Sequence, residues 1–117
     1  MDNSNILKKY LFDILNSIEN IFTYIGKDKV FEKYDTDNML QDAVERNIEI
    51  IGEATSNLLK LDSHIKITNS RRIVDARNKI IHGYDEIENT QVWNIIINHL
   101  PKLKSDVSKL LETKDNE

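Results

Sequence analysis

The sequence predicts an all-α protein, an antiparallel bundle of four to five helices joined by short connections. Three observations predict it. Apolar residues recur at helical spacing along nearly the whole chain, at i, i+3, i+4 and i+7. The two residues that most often interrupt helices are scarce, with three glycines and one proline in 117 residues. No segment alternates apolar and polar residues between hairpin turns, so no strand is expected. A chain of this length forms one domain, 1–117, and can bury about two-thirds of its unfolded surface.

The first helix is expected from Ser4 to Ile25, where Ile6, Leu7, Tyr10, Leu11, Ile14, Leu15, Ile18, Ile21 and Phe22 keep the helical period. Gly26 is its stop signal. Residues 27–35 are charged and mixed, suiting a short helical piece or a loop. Asp35-Thr36-Asp37-Asn38 offers several N-caps for a helix from Met39 to Leu61. Asp62 to Ile67 reads as a loop. Thr68, Asn69 or Ser70 would cap a helix to His82, with Gly83 as its C-terminal stop. Thr90 would cap a further helix through His99. Pro101 either kinks that helix or opens the next at its first turn. Residues 102–112 read as helix and 113–117 as a frayed tail.

Composition excludes several classes. There is no cysteine, so disulfides, zinc–thiolate sites and cysteine nucleophiles are ruled out. No run approaches the ~18 apolar residues of a membrane span. The first residues lack the basic and apolar regions of a signal peptide, so a cytoplasmic location is the default. Net charge is −4, which argues against a binder held to nucleic acid by overall charge. The distribution is uneven, however. Arg71, Arg72, Arg77 and Lys79 crowd into nine residues with one acid, Asp75. Such a locally basic patch suits an enzyme that touches RNA briefly.

The chemistry concentrates at Arg77-Asn78-Lys79-Ile80-Ile81-His82-Gly83-Tyr84, with spacing R-x-x-x-x-H-x-Y. Arg77 offers a permanent charge and a bidentate fork for phosphate. His82 is the side-chain type that exchanges protons near neutrality. Together they suffice to cut RNA without a metal, one handling the 2′-hydroxyl or leaving-group proton, the other stabilising charge on phosphorus. On the 70–82 helix Ile73, Val74, Ala76, Ile80 and Ile81 are expected to be buried. Arg71, Asp75, Asn78 and His82 form a polar stripe. Arg77 precedes His82 by five residues, about 140° around an ideal helix. A helix ending near His82, or a second subunit, would reconcile their directions.

This motif resembles that of HEPN-domain proteins of the HepT type, the RNase toxins of HEPN–MNT toxin–antitoxin pairs. Two further blocks are similar to the family. They are Ala43-Val44-Glu45-Arg46-Asn47-Ile48-Glu49-Ile50-Ile51-Gly52-Glu53-Ala54, and Val92-Trp93-Asn94-Ile95-Ile96 followed by Leu100-Pro101-Lys102-Leu103. The resemblance covers roughly residues 4 to 112. It implies a HEPN-like bundle that dimerises, with both copies of Arg77 and His82 facing one cleft. It also implies RNA as substrate; with the 2′-hydroxyl as nucleophile, the products would be a 2′,3′-cyclic phosphate and a 5′-hydroxyl. Tyr84 would accept AMP from a cognate MNT nucleotidyltransferase, placing negative phosphates beside Arg77 and His82. Without the resemblance, Tyr84 reads as a ring packed at the bundle's end. The lead-in Ser70-Arg71-Arg72-Ile73-Val74-Asp75-Ala76 lacks the tryptophan that many relatives carry there.

Supporting roles are open. Asn78 sits one turn before His82 and could fix its ring, contact phosphate or do neither. Asp42, Arg46, Glu49 and Glu53 form a second polar stripe, which by itself reads as a solvated face. By resemblance Arg46 would assist phosphate binding and Glu53 would orient an arginine. Glu49 and Glu53 have no histidine at ligand spacing, so neither a metal site nor a cofactor is expected. His64 and His99 match no motif and read as bystanders. Trp93 reads as core or dimer interface. Two rivals remain: a non-catalytic HEPN module that binds nucleotide or substrate for a nucleotidyltransferase, and a purely structural helical adaptor.

Overall fold

The computed structural model describes residues 3–82 and 87–115, with side chains for 4–82 and 87–113. All regular structure among the described residues is helical. Helix α1 (Asn3–Ile25) buries Leu11, Ile14, Ile18 and Ile21. That spacing of three and four residues makes one continuous stripe. It ends where Gly26, at φ +75°, donates its N–H to Phe22 O at 3.1 Å. A left-handed residue closing the last turn is the conformation that favours glycine.

The mixed segment contains one short helix, α2 (Phe31–Asp35). Helix α3 (Asn38–Leu61) begins at Asp37, whose carboxylate accepts the Leu40 N–H at 3.0 Å. Its buried stripe is Val44, Ile48, Ile51, Thr55 and Leu58. Thr55 satisfies its hydroxyl by donating to Ile51 O at 2.8 Å. Helix α3 packs against α1 on one side and against α4 (Ser70–His82) on the other. The loop before α4 is held from across the bundle. Thr68 N–H donates to the buried Asp106 carboxylate at 2.8 Å, and Lys102 lies 3.4 Å from the other oxygen.

The last third departs from expectation. Helix α5 (Asn89–Asn94) is capped at Glu88 rather than Thr90, and Gln91 Oε1 accepts the Glu88 N–H at 3.0 Å. It runs on through a π-helical turn at Ile95–His99 into α6 (Leu100–Asp115). In a regular α-helix the Pro101 ring would meet the carbonyl four residues back. A widened turn relieves that clash, and Pro101 stands in the first turn of α6, the second of the two places expected for it. Leu100 N–H bonds Ile95 O, five residues back. Helix α6 continues through Asp115, past the expected fraying point. It packs Leu100, Leu103, Val107 and Leu111 into the core, against α1. Trp93 is half-buried, its ring 5.7 Å from both Phe31 and Tyr34, which docks α2 onto α5. No helix among the described residues is long and apolar enough to cross a membrane.

Candidate active site

The site is built on the outer side of α4. Ile73 and Ala76 are buried and Ile80 packs on the core. At 100° per residue these three centre on one direction, and Val74 and Ile81 lie more than about 100° away from it. The expectation that both are buried fails for this reason. Ile81 is 46% exposed and Val74 is only half-buried. Arg77 lies closer to the core direction than either, and it is half-buried.

Arg77 reaches its position by crossing Gly52 on α3. A β-carbon at Gly52 would collide with Arg77 Cβ, would stand 2.9 Å from its Cγ and 3.2 Å from Ile73 O. Glycine inside a helix costs about 1 kcal/mol relative to alanine, and here it lets α4 approach α3 at the point where the arginine leaves. Arg77 Nη1 donates to Asn78 Oδ1 at 3.1 Å. Arg77 Nε is buried and has no hydrogen-bond partner among the described residues. The guanidinium is therefore anchored by its stem and one amide, with donor capacity to spare. An unsatisfied buried donor costs about 1–3 kcal/mol; being buried, Nε is out of reach of an incoming phosphate, which could meet only the Nη groups.

His82 is the last residue of α4 and is exposed. It follows Asn78 by one turn, and Asn78 uses its oxygen on Arg77. The Asn78 oxygen thus serves the arginine, and its amide nitrogen is not part of that bond. Arg46 is exposed and pairs with Glu49 at 3.1 Å. Glu53 is exposed and lines a small groove of about 190 Å³ with Lys9, Tyr10 and Asp13. Neither Arg46 nor Glu53 forms an ion pair with Arg77 among the described residues. Tyr84 and Gly83 lie outside the described residues. No group of three or more His, Asp or Glu side chains among the described residues could hold a metal ion.

Two features escaped the sequence reading. Gly52 was visible only as a glycine inside a helical pattern, a general signal for close backbone approach. His99 had no such signal. It reaches α4, where Arg72 Nη1 stands 3.0 Å from His99 Nε2. A guanidinium only donates, so Nε2 accepts and the ring is neutral. Burial and the Arg72 charge both hold the His99 pKa below its ordinary value.

The profile of the ribonuclease HepT-like family matches residues 14–110. This chain belongs to that family. Among its relatives is a Methanocaldococcus jannaschii protein whose name joins gamma-glutamylcyclotransferase to an inferred RNase. It is 36% identical over 93% of this chain, which spans about half (49%) of its length. A Caldanaerobacter subterraneus protein named as an inferred RNase is 33% identical, over 90% of this chain and 94% of its own length. A Thermococcus cleftensis protein named as an inferred ribonuclease HepT is 34% identical, over 88% and 94%. No solved structure matches the chain. The all-α bundle agrees with that family, and the described parts of the three sequence blocks fall on α3, on α4 (residues 77–82) and on the α5–α6 helix.

Proposed function

We propose that this chain is an endoribonuclease toxin that cuts RNA without a metal and is silenced by AMP attached to Tyr84. The observation that carries the reading is an intact Arg77/His82 pair in a member of a ribonuclease family. The half-buried Arg77, with Nη1 held by Asn78, supports it. In the reaction a histidine takes the proton of a ribose 2′-hydroxyl, and the 2′-oxygen attacks the adjacent phosphorus. The 5′-oxygen of the next nucleotide leaves and receives a proton from an acid. The products are a 2′,3′-cyclic phosphate and a 5′-hydroxyl. Arg77 binds the phosphate and stabilises the charge that grows on its oxygens.

Base and acid would be the two His82 copies of a homodimer. Val74 and Ile81 sit three residues before and four after Arg77, so they share its face. That partly apolar, exposed rim around a phosphate-binding arginine suits a second copy of the chain. Tyr84 is two residues past His82 in the sequence. A cognate MNT nucleotidyltransferase that adds AMP there would set phosphates against Arg77 and His82 and neutralise them. Arg46 and Glu53 would act, if a partner protomer approaches α3, at the margin of that cleft.

The test is cleavage of a labelled tRNA pool in EDTA by unmodified wild type and by a folded His82→Ala variant. Cutting by wild type alone, with cyclic-phosphate ends, is the expected result. Products ending in a 3′-hydroxyl would overturn the mechanism. Absence of cutting by both would leave the non-catalytic binding module in its place. Tyr84→Phe should escape silencing by the nucleotidyltransferase, and continued silencing would remove Tyr84 from the account.

A further inference from the structure

A broad cleft among the described residues is lined by none of Arg77, Asn78 and His82. It lies on the flank of α4 opposite Arg77, facing α5, with a volume of about 680 Å³. Its α4 wall carries Arg71, Arg72 and Lys79 against one acid, Asp75. None of the three cations forms an ion pair among the described residues, and Arg72 meets the neutral His99. On a chain of net charge −4 this is a local reversal of sign. The floor is apolar, with Ala76, Ile87 and Ile95.

The facing wall is neutral and offers donors. Gln91 spends its oxygen on the Glu88 N–H, a bond only an oxygen can accept, so its NH₂ group remains to donate. Asn94 likewise uses its oxygen on Asn98 Nδ2, at 2.6 Å. A cationic wall, an apolar floor and amide donors complement a ligand with anionic oxygens and a flat ring. Arg71 and Lys79 are eight residues apart, about 12 Å along the helix axis. A single phosphate cannot bridge that distance, whereas a strand with a phosphate at every nucleotide can meet both. The row also leads toward His82, three residues past Lys79.

We propose that the α4–α5 cleft is a second RNA subsite, where Arg71, Arg72 and Lys79 hold backbone phosphates of a single strand and the apolar floor takes a base. It rests on the RNA-cleaving reading above and adds to it. The strand flanking the scissile bond would run along α4 from the His82 end toward Arg71. This cleft, together with the composite cleft at Arg77, would give a small acidic protein enough contacts to hold RNA while it is cut.

The experiment is fluorescence anisotropy with a labelled 12-nucleotide single-stranded RNA in EDTA, across a salt series. His82→Ala serves as the non-cutting parent. It is compared with the same protein carrying Arg71→Gln and Lys79→Gln, and with a charge-matched control carrying Lys27→Gln and Lys109→Gln. Circular dichroism checks that all three fold alike. The cleft variant should bind roughly tenfold more weakly. Its plot of log affinity against log salt should flatten by about 1.4, since each phosphate left without a cation removes about 0.7 from the slope. The control should match the parent. Normal parent binding with no weakening in the cleft variant overturns the subsite and leaves the ribonuclease reading standing. Equal weakening in the control also overturns it, because overall charge would then explain the effect. No binding by the parent overturns both readings. Displacement of the RNA by uridine monophosphate at equal phosphate concentration would make a free nucleotide the occupant and overturn the strand assignment.

Discussion

On one flank of α4, Arg77 runs across Gly52 with its stem packed and its head anchored by Asn78. On the other, Arg71, Arg72 and Lys79 stand exposed along an open cleft. Both flanks are basic, yet only the first is fixed by packing. A guanidinium held by its stem loses little entropy when it meets a phosphate, which suits chemistry that needs a fixed charge. Exposed surface cations suit binding that tolerates many strand conformations and depends on salt. One short helix can thus offer a positioned group and a field of charge, because its two flanks meet different neighbours.

Four changes would break or sharpen this contrast. The largest effect is expected from Arg77→Ala, which should lower RNA cleavage by about 10²–10³-fold with the protein still folded. Gel assays in EDTA read it, and a residual activity near wild type would remove Arg77 from the chemistry. Gly52→Ala comes next. Its β-carbon meets Arg77 Cβ, so overpacking should cost about 1–3 kcal/mol in thermal or urea unfolding, offset in part by better helix propensity. Combining it with Arg77→Ala should not relieve the clash, since Cβ remains. Combining it with Arg77→Gly should relieve it, and a double-mutant cycle reads the coupling. Additive costs in that cycle would mean that the two residues do not press on each other.

Ile81→Asp tests why an isoleucine beside Arg77 is 46% exposed. It should convert a dimer into a monomer in light scattering while leaving the monomer's unfolding nearly unchanged, because Ile81 is outside the core. A dimer that survives the change would place the interface elsewhere. The smallest effect concerns His99 on the cleft side. Its folded pKa lies below the ordinary value near 6.5. The unfolded chain therefore binds the extra proton first as pH falls. Stability should be full above about pH 7 and decline below about pH 6.5. The slope in urea titrations between about pH 7.5 and 5.5 should be shallower in His99→Asn. An identical slope would show that the ring does not stay neutral beside Arg72.

The positions of the helices were legible because they depend on local pattern. The stripes of α1 and α3, the Asp37 cap and the Gly26 stop all follow from residues within one or two turns. The α5 start was misread because Glu88 caps it with help from Gln91, whereas Thr90 is the commoner capping type. Burial on α4 was legible at Ile73, Ala76 and Ile80 and wrong at Ile81, since an apolar residue's exposure depends on how wide a stripe its neighbours cover. Arg77 and His82 were found by their spacing, a linear property. What Arg77 touches was not found, because Gly52 is 25 residues away in sequence.

The sequence by itself determined the all-α class, most helix ends and family membership. These rest on periodicity, capping and motif order, which are written along one dimension. Only the tertiary structure decided that Gly52 carries Arg77, that Asn78 serves the arginine, that His99 reaches Arg72, and that a basic cleft opens on the far flank of α4. Most of these join residues from different helices. The packing of whole helix faces sets such contacts, and no local pattern in the chain encodes where two faces will meet.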